Sequence, residues 1–178
     1  MQTEHFDQTR NDLLVVMQQG RDFVESLDTA LYTREIPRLQ LSAIGDHYRH
    51  HLDYVRAFIH GIKQGRIDYD ARERSEAVAT RPRVAIDETD TFIERLDGLA
   101  PGDVTTPVTV VQAHRVDETS RPEVTTSASR EFAFLITHAV HHYAIIAIVA
   151  RNFGVEPSEQ FGMMPSTLRH LQNLDAAE

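Results

Sequence analysis

The chain has 178 residues, a net charge of −9 and no cysteine. That length suits one domain with its own core. The acidic balance argues against a phosphate-backbone partner, and the missing thiol excludes disulfides, thiolate metal sites and a cysteine nucleophile from these residues.

The opening stretch, MQTEHFDQTRNDLL, has neither a basic n-region nor an apolar h-region, so no signal peptide is expected. Over residues 4–27, Phe6, Leu13, Leu14, Met17, Phe23, Val24 and Leu27 recur at helical spacing and predict a first helix. A loop over residues 29–40 leads to a second helix, residues 42–64, with Ser42 as its N-cap and Gly65 as its stop. GRIDYDARERSEAVA then reads as a charged connection, a candidate loop over a site with Asp68, Tyr69 and Asp70 near its mouth.

Thr80 is the expected cap of a third helix that carries Pro82 in its first turn and ends near Gly98. Across residues 104–127 the helical period disappears. PVTVV and PEVTT are β-branched and flank the polar turn HRVDETSR, which predicts a small β-hairpin. The fourth helix, residues 129–153, is apolar on nearly every side and should be the most buried. Its apolar run is too short and too polar in the middle for a spanning segment, so a cytoplasmic protein with no membrane partner is expected. A short helix should follow at PSTLRHL, with Pro165 in its first turn. The fold class is therefore all-α: one domain over residues 1–178, four long helices forming a bundle, with a hairpin inserted between the third and fourth.

Six of the ten histidines fall in two short stretches, DHYRHH (His47, His50, His51) and THAVHH (His138, His141, His142). His138 and His142 are one turn apart on the face that also carries Leu135, Ile145 and Val149, so both should point inward. Two buried neutral imidazoles need partners for four ring nitrogens, and one metal ion satisfies a nitrogen on each. A histidine from the second helix would complete a three-imidazole site with an open position, a form that suits zinc, nickel or iron. On that helix Asp46, Arg49, Asp53, Arg56, His60 and Lys63 form the polar arc. Periodicity places His51 near the middle of the apolar arc, His47 within it and His50 on its edge, and so ranks His51 or His47 first. His114, His60, His5 and His170 read as surface residues. The competing interpretation is a metal-free core pair.

At these residues the sequence resembles the DinB/YfiT-like family of metal-dependent enzymes, distinct from the DNA polymerase that shares the DinB name. SAIGDHYRHHLDY is similar to the family's second-helix stretch, and THAVHHYAII to its HxxHH segment. The family continues with an Arg-Gly-Gln type sequence where this chain has Tyr143-Ala144-Ile145. GRIDYDARER and FGMMPSTLRHL extend the likeness in order over most of the chain. The resemblance implies an up-down-down-up four-helix bundle, a homodimer, and His50, His138 and His142 as ligands of a divalent zinc, nickel or iron ion.

Known members imply two chemistries for a small-molecule substrate, a low-molecular-weight-thiol S-transferase and a hydrolase. The metal would lower the pKa of an external thiol cosubstrate or of a water. Glu131, His47 or His141 is the expected catalytic base, and Arg49, Tyr54 and Arg130 are candidate contacts for an anionic substrate. The alternative is a non-catalytic metal- or ligand-binding module used for dimerisation, closed by His47 or His51 as a fourth ligand.

Overall fold

The computed structural model describes residues 2–104, 107–113, 115 and 121–175. The helices are α1 (Gln2–Glu25), α2 (Thr29–Tyr32), α3 (Ile44–Gly61), α4 (Glu76–Thr80), α5 (Pro82–Asp97), α6 (Ala128–Asn152) and α7 (Pro165–Asp175). Three short strands, β1 (Arg66–Asp68), β2 (Val108–Val111) and β3 (Glu123–Thr126), form one small sheet. The protein is thus mainly α, with its four long helices α1, α3, α5 and α6 sharing a core.

Helix α1 packs along α5 and α6, while α3 packs along α4, α5 and α6. Leu13 and Met17 of α1, Leu52 and Phe58 of α3, Leu96 of α5 and Phe132 of α6 are completely buried. Each such side chain stabilises the fold by about 2 kcal/mol relative to exposure. Helix α6 is long and apolar enough to cross a membrane by length and composition, yet half of its most apolar window is buried inside the fold. It is the central core helix, covered on one side by α1 and on the other by α3.

Local chemistry moved several boundaries. The N-cap of α3 is Ala43, one residue past Ser42, and it makes no side-chain cap bond. The expected third helix is two helices. Pro82 pushes the preceding Arg81 into extended backbone (φ −129°, ψ 103°), which separates α4 from α5. Thr80 does not cap: it closes α4, its hydroxyl donating to the Glu76 carbonyl at 2.8 Å. Helix α2 lies within the expected loop because Asp28 caps it, accepting from the Leu31 amide at 2.7 Å. Ser127 caps α6, accepting from the Arg130 amide at 3.3 Å.

The hairpin strands pair antiparallel, with Val108 opposite Thr126 and Val111 opposite Glu123. Part of the turn between them lies outside the described residues, as does His114. A third strand was not anticipated. β1 pairs in parallel with β2, Ile67 opposite Val110, so the charged connection contributes a sheet edge. Only Ile67 of its three residues is fully buried, too brief a pattern for alternation to reveal. Gly61 makes the arrangement possible, because a Cβ there would lie 2.2 Å from the Arg66 carbonyl oxygen. Gly65, at φ 71°, then turns the chain into the strand.

Candidate metal centre

Helices α3 and α6 bring His50, His138 and His142 together. One ring nitrogen from each lies within 4.8 Å of the other two. The ring centroids are 4.7 Å apart for His50 and His142, 4.7 Å for His138 and His142, and 5.1 Å for His50 and His138. His142 is buried, while His50 and His138 are half-buried.

The rotation of α3 explains why periodicity ranked its histidines differently. Tyr48, His51, Leu52, Val55 and Phe58 point into the core. His51 is 1% exposed and its Nε2 meets the Tyr143 hydroxyl at 3.3 Å, so the middle of the apolar arc holds a core histidine. His50 sits on the edge that faces α6. A group that must meet both a neighbouring helix and an incoming ligand belongs at such an edge.

Burial lowers the basicity of all three imidazoles. His142 is pushed down to about 2, first by desolvation and then by His138 and His50. His138 falls to about 3 and His50 to about 4, again chiefly through burial. The next influence on His50 is the positive charge of Arg72, followed by Arg49. All three rings are neutral at physiological pH, the form that ligates a cation. Two further nitrogens point to a missing partner: His142 Nδ1 and His47 Nε2 are buried without a hydrogen bond.

The surroundings are aromatic and cationic. The Tyr54 ring lies 4.1 Å from that of His138 and 5.3 Å from that of His50. Phe134 stacks on His138 at 5.8 Å, and Tyr69 stacks on Tyr54 at 5.1 Å. His47 stands 5.6 Å from His142, ring to ring, half-buried. His141 is exposed on α6, its ring 5.1 Å from that of His142.

Glu131 is buried, and its two oxygens each accept at 2.9 Å, from the Tyr69 hydroxyl and the Thr126 hydroxyl. It ties the loop after β1 and the end of β3 to α6. Arg130 is exposed. Arg49 is held by Asp53 at 2.5 Å, and Arg56 binds the other oxygen of the same carboxylate at 2.9 Å. Asp53 is therefore not part of a solvated polar arc: it is 2% exposed and anchors two arginines. Asp68 binds Arg121 at 2.7 Å and Asp70 accepts from the Ala113 amide at 2.7 Å, while Tyr69 turns inward.

The residue that sequence reasoning missed here is Arg72. It lies within the GRIDYDARER stretch that drew notice, but its guanidinium stacks over Tyr54 only because β1 places the loop against α3.

No family model matches the chain. Among curated proteins, FK506-binding protein 5 of Rhizopus delemar is 27% identical over 107 residues, which are 60% of this chain and 28% of that protein. The chain thus spans little more than a quarter of that relative's length. At this identity and coverage the likeness places the chain in no family.

Proposed function

We propose that the protein is a DinB/YfiT-like, metal-dependent enzyme acting on small molecules, built on an up-down-down-up four-helix bundle formed by α1, α3, α5 and α6. The observation that carries the reading is the convergence of three neutral imidazoles from two facing helices within 4.8 Å. Among the described residues no carboxylate joins that group, which fits a histidine-rich site for zinc, nickel or iron with a position left open.

A divalent ion held there supplies Lewis acidity that lowers the pKa of a thiol cosubstrate or a water. The chain's own contribution is to keep the imidazoles unprotonated, to present an aromatic wall of Tyr54 and Phe134, and to accept a proton. Of the three candidate bases, His47 suits that last role best. Its Nε2 is buried and unpartnered beside His142, whereas Glu131 already accepts from two hydroxyls and His141 faces solvent. The thiol S-transferase and hydrolase versions share these roles. The same reading makes the protein a cytoplasmic homodimer.

A closed, non-catalytic metal site is the second reading, and it turns on the same residue. His47 as a fourth ligand would leave no open position.

The test is elemental analysis of protein purified without an affinity tag, beside a His138→Ala, His142→Ala double variant. About one equivalent of metal in the wild type and none in the variant supports the site. A wild type that carries none and takes up neither micromolar zinc nor nickel removes it. Thiol-transfer and ester-hydrolysis assays of the loaded protein, with and without His47→Gln, then separate enzyme from closed site.

A further inference from the structure

Arg72 lies in the loop that follows β1, half-buried, with its guanidinium carbon 4.2 Å from the centroid of the Tyr54 ring. Tyr54 in turn packs on His138, so the cation sits one ring away from the three-histidine cluster. Arg72 Nη1 is buried and has no hydrogen-bond partner. Two of the carboxylates near it are already engaged, Asp68 with Arg121 and Asp53 with Arg49 and Arg56. The loop is also tied down at both ends of the turn. Asp68 accepts from the amides of Asp70 and Ala71 at 3.0 Å each, and Asp70 accepts from the Ala113 amide.

A desolvated guanidinium nitrogen without an acceptor is costly, and the rigid fork of this group matches the two oxygens of a carboxylate. The local charge points the same way. Arg72 bears on both His50 and His138, while Arg49, which also bears on His50, is already paired with Asp53. In a chain of net charge −9 an arginine placed over Tyr54 beside the cluster does not follow from composition. A divalent ion on three neutral imidazoles would add two further positive charges, which an anionic ligand would help to balance.

We propose that Arg72 is the anchor for a carboxylate-bearing substrate of the three-histidine site, held against the Tyr54 and Phe134 rings with its other end toward the metal ligands. The assignment rests on the metal-enzyme reading and deepens it by naming the substrate class. Arg72 acts by binding, so its loss should weaken anion affinity while leaving metal uptake intact.

The experiment compares the wild-type chain, Arg72→Met and Arg72→Lys, each incubated with cobalt(II) and then titrated calorimetrically with benzoate, with benzamide as the uncharged control. Cobalt content is measured in the same samples. The expected result is equal cobalt in all three, benzoate binding without benzamide binding in the wild type, and about 10- to 100-fold weaker benzoate binding in Arg72→Met. Arg72→Lys should recover only part of the loss, because it restores charge without the planar fork. Equal benzoate affinity in wild type and Arg72→Met, or none in the loaded wild type, overturns the anchor and leaves the metal site standing. Cobalt, zinc and nickel all refused by the wild type, with benzoate still bound in an Arg72-dependent way, overturns the metal reading and keeps the anchor. If none of the three ions binds and benzoate does not bind either, both are overturned.

Discussion

On the inner side of α3, the Tyr48 hydroxyl meets that of Thr89 at 3.0 Å and His51 meets the Tyr143 hydroxyl at 3.3 Å. One residue away, at the edge of the same helix, His50 meets His138 and His142 with no hydroxyl between them. Both regions bury polar groups between α3 and its neighbours. In the first, phenols and a threonine satisfy most of them, and His51 Nδ1 is the exception. In the second, imidazoles face imidazoles, which as neutral rings can complete one another only partly. The contrast shows that this chain has the means to close a buried polar group where it serves packing. At the cluster, His142 Nδ1 stays buried without a hydrogen bond, and His47 Nε2 beside it likewise.

The largest expected effect separates the two neighbours directly. His50→Ala should weaken metal binding by about 100-fold or more, exceeding the loss of an outer hydrogen-bond partner, while His51→Ala should leave one equivalent bound. Competition with a chromophoric chelator reads both affinities, and equal losses in the two variants would erase the distinction. Stability should respond the other way round. His51→Ala opens a cavity and strips Tyr143 of its partner, at about 2–4 kcal/mol, whereas metal-free His50→Ala should cost much less. Urea unfolding of the metal-free proteins measures this.

Acid sharpens the comparison further. Burial holds His51 at about 3 against 6.5 in the unfolded chain. The folded form resists the proton, so stability is complete above pH 6.5 and declines as the pH falls from there toward 3. His51 alone should cost about 2 kcal/mol by pH 5. The decline should be shallower in His51→Gln, and identical slopes in wild type and variant would show that His51 is not held neutral.

The smallest effect concerns Glu131. Tyr69→Phe removes one of its two hydroxyl donors and should lower stability by about 1–2 kcal/mol, with metal content unchanged. A loss of metal in that variant would instead make Glu131 part of the centre.

Much of this was legible in the residues. The long helices α1, α3 and α6, the hairpin strands β2 and β3, and α7 all follow from periodicity, β-branching and punctuation by Gly and Pro. The pairing of His138 with His142 follows from one helical turn. Other features did not. Strand β1 hid in a charged run because its pairing partner lies about 40 residues away in sequence. Asp53 read as solvent-facing because its arginine partners are local, at i−4 and i+3, whereas its burial comes from the tertiary packing over α3.

The residues by themselves therefore determined the helical class, the apolar character of α6 and the supply of imidazoles on two segments. Which imidazoles meet was decided only by the tertiary structure. A helix wheel measures angle around one axis, and the difference between His50 and His51 is about 100° of that angle. Whether that angle points to core or to partner depends on where α6 lies. The same holds for Arg72, which stands over Tyr54 because a three-residue strand pairs with β2 and carries the loop across α3.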